Sequence, residues 1–196
     1  MKPKDNLKAF RRNPSGYIII QSITLIRIPL SIIFATVLLN SDRKTLTLVL
    51  SIALLISIEV TDAIDGKIAR RFDLVSEYGA TLDPFSDSIT RLIIFWSLAS
   101  ENLVIFLVPL SMAIRDITVA YSRIILAQKK RSVSARVSGK IKAFVQAIGS
   151  FLALLGPLYW NLTGSWILYM LSWIIISVTL LSAVEYVKDA VSALIE

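Results

Sequence analysis

The sequence contains no cysteine and no histidine among its 196 residues. Without cysteine, the chain has no disulfide bond, no thiolate-ligated zinc or iron–sulfur cluster and no thiol nucleophile. Without histidine, it lacks the usual general base at neutral pH and the commonest ligand of transition metals. Any acid–base or metal chemistry must therefore use carboxylates.

Charged residues are also scarce. They make up 18% of the chain, against 55% hydrophobic residues, and the mean hydropathy is +0.69. Soluble domains carry roughly 25% charged residues, and long apolar runs are typical of membrane proteins. The net charge is +7 (21 basic minus 14 acidic residues), but the basic residues form short clusters between apolar runs. Anionic lipid headgroups and membrane topology account for that pattern, so we expect a lipid bilayer and not nucleic acid as the partner.

Six apolar stretches are each long enough to cross a bilayer, which takes about 20 residues. They cover residues 17–39, 46–70, 79–100, 103–128, 139–160 and 166–190, and Arg27 and Pro29 interrupt the first. The connecting segments are short, so the pattern predicts one all-α integral membrane domain of six transmembrane helices over residues 17–196. Residues 1–16 are predicted to be a basic, amphipathic juxtamembrane segment.

The basic clusters predict the orientation in the membrane. They lie in the N-terminal segment, at residues 67–71 and at residues 129–142, whereas the alternate loops carry few basic residues. If six helices alternate in direction, all three clusters lie on one side. The positive-inside rule then places both termini in the cytoplasm.

Four aspartates lie at the ends of two adjacent apolar stretches. Asp62 and Asp65 are three residues apart, and Asp83 and Asp87 are four apart, so each pair shares one helix face. The short link makes the two helices antiparallel neighbours, which lets the pairs face each other. Four close carboxylates repel one another unless a cation neutralises them, and oxygen ligands favour Mg²⁺, Mn²⁺ or Ca²⁺. Such a set could hold two ions that bridge a diphosphate.

The residues around these aspartates complete a longer pattern. From Asp62 to Asp87 the sequence reads D-x2-D-G-x2-A-R-x8-G-x3-D-x3-D, in which Gly66, Arg70 and Gly79 are fixed positions. This run is similar at every position to the signature of the CDP-alcohol phosphatidyltransferase family.

The resemblance implies a fold, a reaction and a metal site. Members have six transmembrane helices, usually form homodimers, and move a phosphatidyl group from a CDP-linked lipid such as CDP-diacylglycerol to an alcohol, releasing CMP. By resemblance, Asp62, Asp65 and Asp83 bind metal, two Mg²⁺ or Mn²⁺ ions in all. Asp87 binds the second ion and acts as general base on the acceptor hydroxyl, with the active site toward the cytoplasm.

The resemblance also assigns the nucleotide and suggests the acceptor. Contacts to the cytidine nucleotide are expected from Asp65, Gly66, Arg70 and Gly79. Residues 23–27 and 139–146 are similar to one branch of the family, whose acceptor is sn-glycerol-3-phosphate. Gln21, Ser88 and Ala143 depart from that branch's usual Asn, Lys and Thr, so inositol phosphate or another polar alcohol stays open as the acceptor.

Charge favours a phosphorylated acceptor, because several basic residues gather on the predicted fourth and fifth helices. The expected acceptor-binding residues are Arg115, Arg123, Arg136, Lys140 and Lys142. Other interpretations remain: an ion pair with Asp116 or snorkelling for the first two, and membrane topology for the two lysines.

Three further points stay open at this stage. Arg27 is either part of the branch-like stretch or a snorkelling residue. Arg91, one turn after Asp87, is predicted to be a charge partner for the aspartate site, and Glu59 has no assigned role. The non-enzyme alternative is a metal-binding membrane carrier or scaffold, for which the spacing of Gly66, Arg70 and Gly79 has no use.

Overall fold

A computed structural model describes residues 14–40, 44–71, 77–129, 137–164 and 166–195. Within these ranges all regular secondary structure is helical and there is no strand, as predicted. The six helices are α1 (Pro14–Asn40), α2 (Lys44–Arg71), α3 (Glu77–Ser100), α4 (Leu107–Gln128), α5 (Val137–Thr163) and α6 (Trp166–Ile195). Most of the predicted segment 1–16 lies outside the described residues, and its last three residues begin α1.

The helix α1 is continuous through Pro29, which the sequence had suggested as an interruption. Proline removes one backbone N–H donor and strains the preceding turn, but long apolar helices tolerate it where the remaining hydrogen bonds are kept. Arg27 therefore lies inside an unbroken helix, and its side chain is 1% exposed.

The segment between α3 and α4 also differs from the predicted boundaries. Asn102 has a left-handed backbone with φ of 58°. The amide of Leu103 donates to the carbonyl of Leu98 at 2.9 Å, and that of Asn102 donates to Ala99 at 3.0 Å. This pair of hydrogen bonds is a Schellman cap, which ends α3 and reverses the chain. The fourth helix begins at Leu107, four residues after the predicted start.

Four of the described helices are long and apolar enough to cross a membrane. These spans are Gln21–Asn40 in α1, Thr45–Ile64 in α2, Val137–Leu158 in α5 and Trp166–Ile195 in α6. The helices α3 and α4 have at least three charged residues in every 18-residue stretch, including Asp83 and Asp87 on the first and Arg115 and Asp116 on the second. The apolar helices are those of an integral membrane protein.

The chain divides into two compact units, Met1–Ile94 and Phe95–Glu196. In the described part of the first unit, α1 packs against α2. Phe34, Leu55 and Ile58 are buried there. The hydroxyl of Ser86 donates to the carbonyl of Thr24 at 2.7 Å and so ties α3 to α1.

In the second unit, α6 packs against both α4 and α5. Val119, Ala183 and Tyr186 form a buried apolar cluster between α4 and α6. The contact between α5 and α6 is close at Gly149, where an added Cβ would lie 2.7 Å from Cδ1 of Ile175. Small residues such as glycine are common where membrane helices pack closely.

Candidate active site

The aspartates predicted to bind metal meet a buried arginine in the first unit. Asp62 lies on α2 and Asp83 on α3, and Arg27 reaches both from α1. One terminal nitrogen of the Arg27 guanidinium donates to Oδ1 of Asp62, and the other donates to Oδ1 of Asp83 at 2.5 Å. Its Nε donates to the carbonyl of Thr24 at 3.3 Å. The structure therefore brings the two aspartates to one cation, as their predicted placement on facing helices requires.

A second buried arginine binds two further acidic residues. Arg91 donates to both carboxylate oxygens of Glu59, at 2.5 Å and 3.0 Å, and its Nε lies 3.4 Å from Oδ1 of Asp87. The prediction that Arg91 is a charge partner for the aspartate site is confirmed. Glu59, which had no assigned role, is its main partner.

The two arginines do not balance the acidic residues around them. Among the side chains that the structure describes, this acidic network contains four carboxylates and two guanidinium groups, an excess of two negative charges. Its members are Glu59, Asp62, Asp83, Asp87, Arg27 and Arg91. Each arginine is at most 4% exposed, whereas the carboxylates are 24–56% exposed. The carboxylates are therefore the accessible groups of the network.

The chemistry of this donor set fits a divalent cation. Accessible carboxylate oxygens with surplus negative charge are the ligands that Mg²⁺ and Mn²⁺ prefer. Among the described residues, no three acidic side chains lie close enough together to hold one ion. Asp65, the fourth predicted ligand, lies on α2 three residues after Asp62, and its side chain is outside the described part of the structure.

The residues expected to contact the nucleotide lie at the C-terminal end of α2 and at the N-terminal end of α3. Gly66 and Arg70 lie in the last two turns of α2, and Gly79 lies in the first turn of α3. The side-chain surroundings of Arg70 are outside the described part of the chain, as are those of Asp65. The nucleotide assignment therefore stays a prediction.

Two of the predicted acceptor-binding residues meet in the second unit. Arg115 donates from Nη1 to Oδ1 of Asp116 at 2.7 Å and from Nε to the hydroxyl of Ser182 at 2.9 Å. Nζ of Lys142 lies 3.5 Å from the same oxygen of Asp116. The ion pair with Asp116 that the sequence left open is thus present for Arg115. This basic network of Arg115, Asp116 and Lys142 has two cations and one carboxylate.

The other expected acceptor residues have different surroundings. The guanidinium of Arg123 lies over the ring of Tyr186, 5.4 Å from its centre, which is a cation–π contact. The Nε of Arg123 is buried and has no hydrogen-bond partner among the described residues. Lys140 is exposed on α5, and Arg136 lies outside the described residues.

Sequence reasoning did not place Arg27 or Glu59 in the site. The available signal was a charge inside an apolar run, which is costly in a membrane unless it has a partner. That signal marks both positions but does not name the partners, because these are 32 to 56 residues away along the chain.

Comparison with known proteins gives the family. The sequence model of the CDP-alcohol phosphatidyltransferase family matches residues 18–184. A Rickettsia bellii protein named CDP-diacylglycerol–glycerol-3-phosphate 3-phosphatidyltransferase is 30% identical over 172 residues, covering 85% of this chain and 91% of the relative. Proteins of that name from Bacillus subtilis and Rickettsia felis are 32% and 29% identical, covering 68% and 90% of this chain and 69% and 94% of their own lengths. The chain therefore belongs to the CDP-alcohol phosphatidyltransferase family, as the run from Asp62 to Asp87 predicted.

Proposed function

We propose that the protein transfers a phosphatidyl group from CDP-diacylglycerol to sn-glycerol-3-phosphate, giving phosphatidylglycerophosphate and CMP in phospholipid biosynthesis. The observation that carries the proposal is the similarity to relatives named for this reaction, over 91% and 94% of the length of two of them. The complete aspartate signature and the acidic network around Arg27 and Arg91 support it. Family membership argues against a metal carrier or scaffold.

The acidic network would hold the metal ions that this family generally uses. The proposed ligands are Asp62, Asp65, Asp83 and Asp87, and the proposed cofactor is two Mg²⁺ or Mn²⁺ ions. When bound, the ions would offset the charge of the diphosphate and of the departing CMP. Arg27, fixed between Asp62 and Asp83, keeps these carboxylates together despite their mutual repulsion.

Asp87 is the proposed general base. The acceptor hydroxyl oxygen forms a bond to the phosphorus of the phosphatidyl group while the bond from that phosphorus to the CMP oxygen breaks. Asp87 takes the hydroxyl proton, which general-base catalysis requires at that moment. Gly66, Arg70 and Gly79, with Asp65, are proposed to hold the cytidine nucleotide, so that binding fixes the reacting groups.

The basic network is proposed to bind the acceptor phosphate. Among the described side chains, Arg115 and Lys142 bring two cations to the single carboxylate of Asp116, and guanidinium and ammonium groups are the usual donors to phosphate oxygens. The other proposed acceptor residues are Arg123, Arg136 and Lys140. An inositol phosphate carries the same phosphate chemistry and is the second candidate acceptor.

We also propose the membrane arrangement. The helices α3 and α4 have 24 and 22 residues, so at 1.5 Å per residue both reach across a hydrocarbon core of about 30 Å. Together with the four apolar spans they would make one six-span domain over residues 17–196, preceded by a basic segment at the membrane surface. Both termini and the active site would face the cytoplasm, and the protein would act as a homodimer.

The direct test is CMP release from CDP-diacylglycerol by the purified protein in detergent with Mg²⁺. Glycerol-3-phosphate, inositol-1-phosphate, inositol and serine are supplied separately, and the Asp87→Asn variant serves as the control. We expect turnover with glycerol-3-phosphate alone, reduced about 10²–10⁴-fold in the variant, the range for loss of a general base. Turnover with an inositol compound instead would overturn the proposed acceptor, and no CMP with any of the four would overturn the proposed reaction.

A further inference from the structure

Glu59 is a charged residue of the first unit that the proposed reaction does not use. It lies on α2 three residues before Asp62, so the two share a helix face. It lies within the apolar span Thr45–Ile64, where an unpaired charge is costly. Its partner is Arg91 on α3, which is 4% exposed. The pair therefore offsets the cost of two charges at membrane depth.

The same arginine is also within reach of Asp87. Arg91 follows Asp87 by four residues, the spacing at which helix side chains meet. Yet its two terminal nitrogens bind Glu59, at 2.5 Å and 3.0 Å, and only Nε approaches Asp87, at 3.4 Å. Glu59 and Asp87 thus compete for one guanidinium, and Glu59 holds most of it.

We infer that Glu59 is a positioning residue that holds the Arg91 guanidinium away from Asp87 and so leaves the Asp87 oxygens available to a cation and to the acceptor. This inference rests on the role proposed above for Asp87. Arg91 is buried and needs a carboxylate partner. If Glu59 loses its charge, the nearest carboxylate that Arg91 already contacts is Asp87. The arginine then occupies the oxygen atoms that the reaction needs.

Removing the charge of Glu59 alone and removing the charges of both Glu59 and Arg91 are expected to have different effects on cation binding. Glu59→Gln leaves Arg91 to pair with Asp87, so the variant binds cation more weakly. Glu59→Gln combined with Arg91→Gln removes the competitor as well, so cation binding returns toward that of the original protein. A pair that only stabilises the fold would change the unfolding midpoint in these variants but not the affinity for cation.

The test uses the full chain in detergent, with Mn²⁺ alone as the probe. Binding is followed by the electron paramagnetic resonance signal of unbound Mn²⁺, and the thermal midpoint is recorded without metal. Glu101→Gln is the matched control, because Glu101 is exposed in the turn after α3 and its replacement makes the same charge change. Glu59→Asp, which keeps the charge, covers the case in which Glu59→Gln fails to fold.

We expect Glu59→Gln to weaken Mn²⁺ binding about tenfold or more, because Arg91 then makes an additional charge-assisted hydrogen bond to Asp87 that the ion must displace. The double variant, Glu59→Asp and Glu101→Gln should stay within about threefold of the original protein. Unchanged Mn²⁺ affinity in Glu59→Gln, or a double variant as weak as the single one, would overturn the inference. If Glu59→Gln does not fold, the test uses the other two variants. Retained Mn²⁺ binding in both Glu59→Asp and the double variant would support the inference, and weakened Mn²⁺ binding in Glu59→Asp would overturn it.

The result of the Mn²⁺-binding test is independent of the result of the test of the proposed function. Mn²⁺ binding needs neither CDP-diacylglycerol nor an acceptor, so it reports on Glu59 even if no tested alcohol gives CMP. Conversely, CMP release by the original protein tests the proposed reaction whatever the variants at Glu59 do. In the active protein, kcat should follow the same order as the Mn²⁺ affinities, while the KM for glycerol-3-phosphate should not change.

Discussion

The two charge networks of this protein have opposite surpluses. The acidic network of the first unit has two carboxylates more than it has guanidinium groups, and the basic network of the second unit has one cation more than it has carboxylates. Both occur in a chain that has few charges and no histidine. A membrane protein keeps such groups where their cost is offset by partners or ligands. The negative surplus of the acidic network favours a cationic ligand, and the positive surplus of the basic network favours an anionic one.

The networks also differ in which groups remain accessible. In the acidic network, the arginines are buried and the carboxylates are 24–56% exposed. In the basic network, all three side chains are largely buried, with Asp116 the most exposed at 15%. A cation can therefore approach the first network directly. A phosphate at the second network must compete with Asp116 for its N–H donors.

The largest expected effect follows from removing a carboxylate from each network. Asp83→Asn should lower CMP release about 10²-fold or more and weaken Mn²⁺ binding, because it removes a proposed ligand and a partner of Arg27. Asp116→Asn should leave Mn²⁺ binding unchanged. Mn²⁺ titration and CMP release for both variants test this, and equal Mn²⁺ affinity in all three proteins would contradict the assignment of the acidic network.

Replacing Arg27, which lies between two aspartates, should mainly lower the stability of the metal-free protein. In Arg27→Gln, Asp62 and Asp83 lose their shared cation and repel each other, at a cost of about 1–3 kcal/mol without metal. Added Mg²⁺ should then raise the thermal midpoint more in the variant than in the original protein, since the ion replaces the missing charge. Equal Mg²⁺-induced shifts in the two proteins would show that Arg27 and the ion do not act on the same carboxylates.

A smaller effect is expected from weakening the basic network. Arg115→Lys keeps the charge but loses the planar donor set that contacts Asp116 and Ser182. We expect the KM for glycerol-3-phosphate to rise about tenfold, with little change in the KM for CDP-diacylglycerol. The matched control is Lys188→Arg on α6, since Lys188 is exposed. A KM rise for both substrates would place Arg115 in the general fold and not in acceptor binding.

The smallest expected effect concerns a buried amide in the second unit. Gln146 donates from Nε2 to the hydroxyl of Thr179 at 3.0 Å, while its Oε1 is buried and finds no hydrogen-bond partner in the described part of the chain. Gln146→Leu removes one hydrogen bond and one unsatisfied acceptor together, so the stability should change by less than about 1 kcal/mol. Thermal unfolding and the KM for glycerol-3-phosphate check this. A large KM increase at unchanged stability would add Gln146 to the acceptor-binding residues.

The sequence was sufficient for the family and the helices, because each depends on spacing along the chain. Apolar run lengths predicted six helices, and the fixed distances from Asp62 to Asp87 predicted the family. The start of α4 was wrong because residues 103–106 are apolar enough to extend a helix. The left-handed backbone of Asn102 ends α3 there, and hydropathy does not register such a turn.

The partners of Arg27 and Glu59 could not be predicted in the same way. Each contact joins different helices, and it depends on how far the helices rotate and shift against one another. A charge in an apolar run shows that a partner is needed but not which residue supplies it. Asp116 was the easier case, because its partner Arg115 is adjacent in the sequence.

The most direct test of the account is incorporation of labelled sn-glycerol-3-phosphate into lipid. The purified protein is given CDP-diacylglycerol and Mg²⁺, and the label is followed into the organic phase, with and without a chelator. The account predicts one labelled product, identified as phosphatidylglycerophosphate and formed in equal amount with CMP, and none after chelation. Label that stays in the aqueous phase while CMP is released, or incorporation that persists after chelation, would contradict it.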